Sequence, residues 1–186
     1  KPAIFLDRDG VINREVNYLH RIEDFEFTYK CVDALLILRD LGYEFIVITN
    51  QAGIGKGYYN EEQYQALTDY YLRLLSKNGI EILNVLHCPH HPEASVKKFK
   101  KECQFRKPNP GMVLKALETY DIDREASILV GDKLSDLDSG SKAGLKKLYL
   151  VESDIAQVDN LDESIPVFSD LFHIATYLQT VDRGYG

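Results

Sequence analysis

Short apolar segments alternate along the chain with segments of helical periodicity, and no other feature constrains the possible fold as strongly. The apolar segments predict buried strands at 3–6, 44–48, 82–86, 127–130 and 147–151. Between them, apolar residues at helical spacing predict helices at 31–41, 61–78, 111–120 and 135–143. The tail adds a predicted strand at 166–168 and a helix at 170–179. Repeated strand–helix units predict a three-layer α/β fold, with a doubly wound parallel sheet and helices on both faces.

The organisation predicts one domain spanning residues 1–186, since a chain of 186 residues suits a single core and no linker or internal repeat interrupts the alternation. The segment 87–110 breaks the regular rhythm. It holds four prolines and is too long for an ordinary connection, which favours a functional loop. No insert between the predicted elements is large enough to form a cap domain.

The net charge of −7 argues against a nucleic-acid partner, because phosphate backbones are bound by an excess of Lys and Arg. No apolar segment approaches the roughly 20 residues needed to span a bilayer. The cysteines, Cys31, Cys88 and Cys103, are odd in number and too few for a disulfide-stapled domain. We therefore expect a cytoplasmic protein with no membrane or nucleic-acid partner, and we expect a monomer.

Polar clusters directly follow three of the predicted strands, at 7–10, 49–51 and 131–133. In open parallel sheets, ligands bind beyond the carboxyl ends of the strands. Adjacent strands would bring the three clusters together at that edge, so we expect the functional site there.

The residue types in these clusters fit a phosphate and a metal ion. Asp7 and Asp9 point the same way if the strand geometry persists, although such a pair alone is typical of a solvated turn. Asp132 adds a third carboxylate, and a group of oxygen ligands with this charge favours Mg²⁺. Thr49 can donate a hydrogen bond from its hydroxyl to a phosphate oxygen, and Lys107 can supply a positive charge beside it.

Four motifs in this order resemble those of the haloacid dehalogenase (HAD) superfamily of phosphatases. They are Phe5-Leu6-Asp7-Arg8-Asp9-Gly10, Thr49-Asn50-Gln51, Arg106-Lys107-Pro108 and Gly131-Asp132-Lys133-Leu134-Ser135-Asp136. With Cys88-Pro89-His90-His91-Pro92, the set is similar to that of the D-glycero-D-manno-heptose-1,7-bisphosphate 7-phosphatases, which serve synthesis of lipopolysaccharide core heptose. The histidinol-phosphate phosphatases have similar motifs, so the substrate stays open at this point.

The resemblance implies a two-step reaction through an aspartyl phosphate on Asp7. Asp9 would protonate the departing sugar oxygen and then deprotonate the attacking water, which predicts a raised pKa for this carboxyl. Mg²⁺ would be held by Asp7, the backbone carbonyl of Asp9, and Asp132. Thr49 and Lys107 would stabilise the transferring phosphoryl group. Asp136 is either a carboxylate behind these ligands or a first-turn residue favoured by the helix dipole.

The resemblance also implies a set of substrate-binding residues. Among them, Arg106 is the one expected to bind a second phosphate, because its planar fork matches two phosphate oxygens. The full set is Glu15, Val16, Asn17, Tyr18, Asn50, Gln51, Ala52, Arg106 and Lys133.

In one respect the sequence departs from its relatives, which carry a structural zinc site of the form Cys-x-His followed by Cys-x-Cys. Here Cys88, His90 and Cys103 match, but Phe105 stands at the fourth ligand position. Structural zinc sites usually have four ligands. Two interpretations stay open: zinc is bound with His87, His91 or water as a substitute, or zinc is absent and Phe105 packs the loop.

Two alternatives to the heptose-bisphosphate hypothesis remain. The first is a histidinol-phosphate phosphatase. The second is a phosphoryl receiver domain without hydrolytic activity, which also combines Asp, Thr and Lys on a doubly wound sheet. A receiver lacks a second acid/base carboxylate two residues after its phospho-acceptor, so Asp9 is the residue that discriminates between a phosphatase and a receiver.

Overall fold

The computed structural model describes residues 1–153, 159 and 161–184, which form a single parallel sheet covered by helices. The strands are β1 (Ala3–Leu6), β2 (Glu44–Asn50), β3 (Asn84–Cys88), β4 (Ile128–Gly131), β5 (Lys147–Val151) and β6 (Val167–Phe168). The helices are α1 (Cys31–Asp40), α2 (Ala52–Gly55), α3 (Glu61–Lys77), α4 (Gly111–Thr119), α5 (Leu134–Lys142) and α6 (Leu171–Gly184). Short 3₁₀ turns lie at Ile22–Asp24 and Lys97–Phe99.

The strand order is β3-β2-β1-β4-β5-β6, and every neighbouring pair is parallel. The chain first builds outward from β1 through β2 to β3, then returns to add β4 on the other side of β1. The residue that ends β1, Leu6, pairs with Val47 on one side and with Val130 on the other. The direction of winding therefore reverses between β1 and β4, and a crevice forms at the carboxyl ends of these central strands.

The central strand is buried on both faces, which explains why its sequence is a continuous apolar run rather than an alternating one. Ile4 and Leu6 belong to one core cluster, with apolar residues of α1, α3 and α6. Ala3 and Phe5 belong to a second cluster on the opposite face, with residues of α4 and α5. The predicted three-layer, doubly wound sheet with helices on both faces is confirmed.

Most element boundaries agree with the sequence prediction. Asn60 caps α3 through a reciprocal pair of hydrogen bonds with Gln63, at 2.8 and 2.9 Å. The strand predicted at 82–86 was wrong by two residues, because pairing with β2 begins at Asn84 and ends at Cys88. Asn84 has little strand propensity, so the composition gave no sign of this start. His87 and Cys88 accordingly belong to β3 and not to the predicted loop at 87–110.

The single domain predicted over 1–186 stays a prediction, because residues 154–158, 160 and 185–186 lie outside the described part. Among the described residues, no segment between strands builds a separate cap. None of the helices in this part of the chain combines the length and the apolar character required to cross a membrane.

Candidate active site

The chain turns sharply as it leaves β1, and this turn brings Asp7 and Asp9 to the edge of the sheet. The backbone N–H of Asp7 still donates to Val130 of β4, at 3.1 Å, so the first carboxylate is fixed to the central strands. Gly10 lies at φ +86°, where a side chain is strained. A Cβ atom there would also lie 2.2 Å from Oδ2 of Asp132. Glycine therefore permits both the turn and the close approach of a third carboxylate.

A buried lysine links the motif after β1 to the motif at the start of α5. Nζ of Lys107 lies 2.9 Å from Oδ1 of Asp7 and 2.6 Å from Oδ1 of Asp136. It also donates to the carbonyl of Ile48, at 3.1 Å. Burial raises the pKa of Asp7 to about 7, Asp136 adds to the rise, and Lys107 opposes it. For Lys107 itself, burial favours the neutral amine, but the two carboxylates outweigh it and raise the lysine pKa.

Asp132 is the carboxylate with the least compensation. Within residues 1–153, 159 and 161–184, neither of its two buried oxygens has a hydrogen-bond partner. Burial raises its pKa to about 9, with further contributions from Asp7 and Asp136. Buried anions without a partner are costly, so the arrangement calls for a cation.

The donor set fits a divalent metal ion with oxygen ligands. Carboxylate oxygens of Asp7, Asp132 and Asp136 all lie within 4.8 Å of one another. Asp136 is already engaged, because its Oδ2 accepts from the backbone N–H groups of Asp132 and Lys133, both at 3.1 Å. The carboxylates with coordination capacity are therefore those of Asp7 and Asp132, and their role as metal ligands stays a prediction. The side chain of Asp9 is not in this group, and the sequence prediction for Asp9 concerned only its backbone carbonyl.

The prediction of a raised pKa for Asp9 is wrong, because its neighbours lower the pKa of this carboxyl. Burial alone would raise the pKa of this carboxyl, but the Arg8 guanidinium and the Asn13 amide outweigh burial and lower it. Nη2 of Arg8 lies 2.9 Å from Oδ1 of Asp9, and Nδ2 of Asn13 lies 3.0 Å from the same atom. Arg8 stands beside Asp9 in the sequence, but adjacency alone does not show that the two side chains pair.

The end of β2 and the residue after it hold Thr49 and Lys107 in place. The Asn50 side chain donates to the carbonyl of Lys107 at 3.1 Å and accepts from its N–H at 2.9 Å, which clamps the lysine backbone. The Gln51 amide donates to Oγ1 of Thr49 at 2.8 Å. Asn50 and Gln51, both predicted to bind substrate, therefore also hold the residues beside them in place.

A cavity of about 510 Å³ opens at this edge of the sheet. All residues predicted to bind substrate line it: Glu15, Val16, Asn17, Tyr18, Asn50, Gln51, Ala52, Arg106 and Lys133. Asp9 and Lys107 line it as well, whereas Asp7, Thr49 and Asp132 do not line it and are buried. The wall carries more basic than acidic residues, so the cavity favours an anionic ligand. The basic ones are Arg8, Arg106, Lys107 and Lys133, and the acidic ones are Asp9 and Glu15.

Comparisons with known proteins agree with this geometry. The chain is 51% identical to D-glycero-alpha-D-manno-heptose-1,7-bisphosphate 7-phosphatase of Photorhabdus laumondii, over 94% of its own length and 95% of the relative's. The chain belongs to the heptose-bisphosphate phosphatase family. The HAD-hydrolase-like family model matches residues 104–178.

Two further members extend the comparison. The D-glycero-beta-D-manno-heptose-1,7-bisphosphate 7-phosphatase of the same organism is 41% identical, over 82% of this chain and 81% of that one. The crystal structure of D,D-heptose 1,7-bisphosphate phosphatase from B. bronchiseptica, complexed with magnesium and phosphate, superposes with a TM-score of 0.84. It is 28% identical, and the match covers 97% of this chain and 99% of that one.

In this member of the heptose-bisphosphate phosphatase family, two thiols and one imidazole converge in the connection between β3 and α4. Sγ of Cys88 lies 3.8 Å from Nδ1 of His90, and the ligand atoms of both residues and of Cys103 all lie within 4.8 Å of one another. Phe105 packs against the apolar cluster under the sheet. The two histidines offered as substitutes for the fourth ligand are engaged elsewhere.

His87 lies with its Nε2 2.9 Å from a carboxylate oxygen of Glu61, and its ring stacks on Tyr64. His91 accepts a hydrogen bond at Nδ1 from the backbone of Glu93, at 2.9 Å. Neither belongs to the group formed by Cys88, His90 and Cys103. Of the substitutes considered for the fourth ligand, only water remains.

Two residues of the site, Arg8 and Tyr59, had no role assigned from the sequence. For Asp136 the sequence left two interpretations open, and both are correct, since it pairs with Lys107 and also accepts from two N–H groups at the start of α5. Tyr59 donates through its hydroxyl to Oε1 of Gln51 and gave no signal in the sequence.

Proposed function

We propose that this protein is a Mg²⁺-dependent phosphatase that removes the 7-phosphate of D-glycero-α-D-manno-heptose 1,7-bisphosphate, a precursor of lipopolysaccharide core heptose. The observation that carries the proposal is the uncompensated Asp132 carboxylate beside Asp7, next to a cavity with a basic wall. The anionic groups of a bisphosphate would balance the basic wall of the cavity, and a divalent cation would balance the carboxylates. We propose a monomer acting in the cytoplasm.

In this proposal Asp7 is the nucleophile that attacks phosphorus, and Lys107 orients it through the contact of 2.9 Å. Lys107 and the buried hydroxyl of Thr49 stabilise the negative charge of the transferring phosphoryl group. Mg²⁺, held by Asp7, Asp132 and the backbone carbonyl of Asp9, neutralises phosphoryl charge when bound. Asp9 exchanges the proton. An anionic phosphate nearby favours the protonated form of this carboxyl, so we expect Asp9 to take up its proton as substrate binds.

The second phosphate of the substrate is assigned to Arg106 and Lys133. Both line the cavity, and a guanidinium can bind two phosphate oxygens at once. Nζ of Lys133 is 3.6 Å from Oε1 of Glu15, whose other carboxylate oxygen is buried without a hydrogen-bond partner in the described residues. That oxygen is suited to accept a hydrogen bond from a sugar hydroxyl, while Lys133 turns to the phosphate.

The proposed anomer follows the comparisons with relatives. The relative named for the alpha anomer is 51% identical to this chain, and the relative of the same organism named for the beta anomer is 41% identical. Histidinol phosphate, the runner-up substrate, carries an amine cation, which the basic wall of the cavity disfavours.

A steady-state assay tests the substrate. Purified protein is given the α and β heptose bisphosphates, histidinol phosphate and no substrate, each with and without Mg²⁺. We expect the α anomer to be favoured over the β anomer by about tenfold or more in kcat/KM, a range typical of small structural differences between substrates. A preference for histidinol phosphate would assign the protein to that activity instead. Stable phosphorylation without turnover would identify a receiver.

We also propose that Cys88, His90 and Cys103 bind zinc with water as the fourth ligand. Two thiolates and an imidazole are the ligands that zinc prefers, and their convergence supports the assignment. None of them lies in the proposed catalytic set, so the role of this metal is to fix the loop between β3 and α4.

A further inference from the structure

The carboxylate of Asp9 is held asymmetrically. Its Oδ1 accepts three hydrogen bonds, from Nε of Arg8 at 3.2 Å, from Nη2 of Arg8 at 2.9 Å and from Nδ2 of Asn13 at 3.0 Å. Its Oδ2 has one donor in the described part of the chain, Nε2 of Gln51, and that contact is long at 3.5 Å. One oxygen is therefore anchored, and the other retains the capacity to bind a proton.

The anchor is itself rigid. Arg8 is 1% exposed, and its Nη2 also donates to the carbonyl of Leu19, at 3.2 Å. Burial of an arginine without an anionic partner is costly, and Asp9 is its ion-pair partner at 2.9 Å. Nη1 has no partner among the described residues, and the same holds for the buried hydroxyls of Tyr64 and Tyr71. Asp9 is therefore the main hydrogen-bond partner of the guanidinium among the described residues.

The donor at Oδ2 is also fixed in orientation. The hydroxyl of Tyr59 donates to Oε1 of Gln51, so the amide nitrogen of Gln51 must face the other way, toward Thr49 and Asp9. An amide N–H is not a proton acceptor. Gln51 therefore orients Oδ2 without competing for the proton that this oxygen must carry.

We propose that Arg8 is a positioning residue, which anchors Oδ1 of Asp9 and leaves Oδ2 as the atom that exchanges the proton. The inference rests on the proposed phosphatase function. In the first step, an oxygen of Asp7 bonds to phosphorus, the bond from phosphorus to the sugar oxygen breaks, and the proton on Oδ2 passes to that oxygen. In the second step, water bonds to phosphorus, the bond to Asp7 breaks, and a water proton returns to Oδ2.

The dependence on the leaving group tests this role. An alkoxide needs a proton as it departs, whereas p-nitrophenolate departs without one. Arg8→Met and Arg8→Lys are compared with wild type in the burst of leaving-group release, which reports formation of the aspartyl phosphate. For the sugar phosphate we expect the burst rate of Arg8→Met to fall about 100-fold or more, the usual contribution of a general acid. For p-nitrophenyl phosphate the burst rate should stay close to that of wild type.

The controls separate positioning from general disruption. Asp9→Asn should show the same selective loss, and adding Arg8→Met to it should cause no further loss, because both changes remove one function. Arg73→Met removes an exposed arginine of α3 and should leave both rates unchanged. Arg8→Lys keeps the charge and should recover part of the burst rate that Arg8→Met loses. If Arg8→Met does not fold, Arg8→Lys is compared with wild type instead, and we expect a smaller loss that is confined to the sugar phosphate.

An equal loss on both leaving groups, or a further loss in the Asp9→Asn background, would overturn the positioning role and leave Arg8 as a packing residue. Failure of the proposed function looks different, since wild type would then show no steady-state turnover of the sugar phosphate.

Discussion

At the scale of single residues, Lys107 balances two buried carboxylates, and removing either one changes the charge of the site. Asp136 lies at 2.6 Å from its Nζ and is itself 2% exposed. Breaking a buried ion pair by removing one partner typically costs about 3–5 kcal/mol, because the remaining charge stays buried. If the Asp136 carboxylate is removed, Asp7 remains as the only carboxylate among the described residues that pairs with Lys107.

We expect Asp136→Asn to lower the free energy of unfolding by about 3 kcal/mol and to reduce kcat, since Lys107 is then drawn toward Asp7, the proposed nucleophile. Urea denaturation measures the first effect and steady-state kinetics the second. Asp69→Asn, an exposed position on α3, is the matched control and should change stability by less than about 0.5 kcal/mol. A stability equal to that of the control would show that the ion pair makes no net contribution.

The convergence of Asp7 and Asp132 could be predicted from sequence because each directly follows an apolar strand, so the topology alone brings them together. The direction of the pKa shift of Asp9 could not be predicted in this way. Its pKa is lowered by the guanidinium of Arg8, which is buried and interacts electrostatically with Tyr71 of α3, far along the chain. Packing between distant segments decides such charges, and the sequence contains no periodic pattern that reports it.

At the scale of elements, the connection between β3 and α4 combines a candidate metal site with an apolar anchor. Cys88 ends β3 and is buried, whereas Phe105 packs against the second core cluster. The backbone N–H of Phe105 donates to Sγ of Cys103, at 3.4 Å, so this backbone is next to the metal-binding group. A ligand placed at position 105 would therefore have only a short distance to reach.

We expect the purified protein to contain about one zinc per chain and to lose it to a chelator more readily than Phe105→Cys, because a fourth protein ligand completes the tetrahedral site. Elemental analysis gives the zinc content, and competition with a chromogenic chelator gives the affinity. Cys103→Ser should lose the metal, whereas Cys31→Ser, which is buried elsewhere, should keep it. Wild type and Cys103→Ser with equal zinc contents would refute the site.

The elements differ in how far sequence determines them. The capping box at Asn60 is encoded by two residues three apart, so the start of α3 was predictable. The four-residue helix α2 and the start of β3 at Asn84 were not, because both depend on contacts with neighbouring segments. Leu83, just before β3, already donates through its backbone to Phe45 of β2, at 2.8 Å, but does not yet belong to the ladder.

At the scale of the whole molecule, the acidic charge has a local consequence for stability. Asp7, Asp132 and Asp136 are brought within 4.8 Å by folding, whereas the unfolded chain keeps them apart. Lys107 contacts two of them, and the oxygens of Asp132 remain uncompensated in the described residues. Folding therefore brings these carboxyl groups together at a cost, which the raised pKa values of Asp7 and Asp132 reflect and which a bound cation would relieve, in the manner of sites where function is favoured over stability.

Magnesium should accordingly raise the melting temperature of the whole domain. A ligand that binds only the folded state adds about 2.7 kcal/mol at a concentration of 100 times its Kd. For a chain of this size, 1 kcal/mol corresponds to about 2–4 °C, so the expected rise is about 5–10 °C. Differential scanning calorimetry of chelator-treated protein, with MgCl₂ or with NaCl at equal ionic strength, measures it. Both samples lack zinc, so the second metal does not contribute to the difference.

The variant Asp132→Asn tests whether the rise in melting temperature comes from magnesium bound at this site. Without the uncompensated charge, the metal-free variant should be at least as stable as metal-free wild type, and magnesium should no longer raise its melting temperature. An equal shift in wild type and variant would instead attribute the effect to general binding at the acidic surface. A metal-free variant less stable than metal-free wild type would mean that Asp132 forms contacts that offset its burial. The repulsion at this edge of the sheet would then not be the source of the dependence on magnesium.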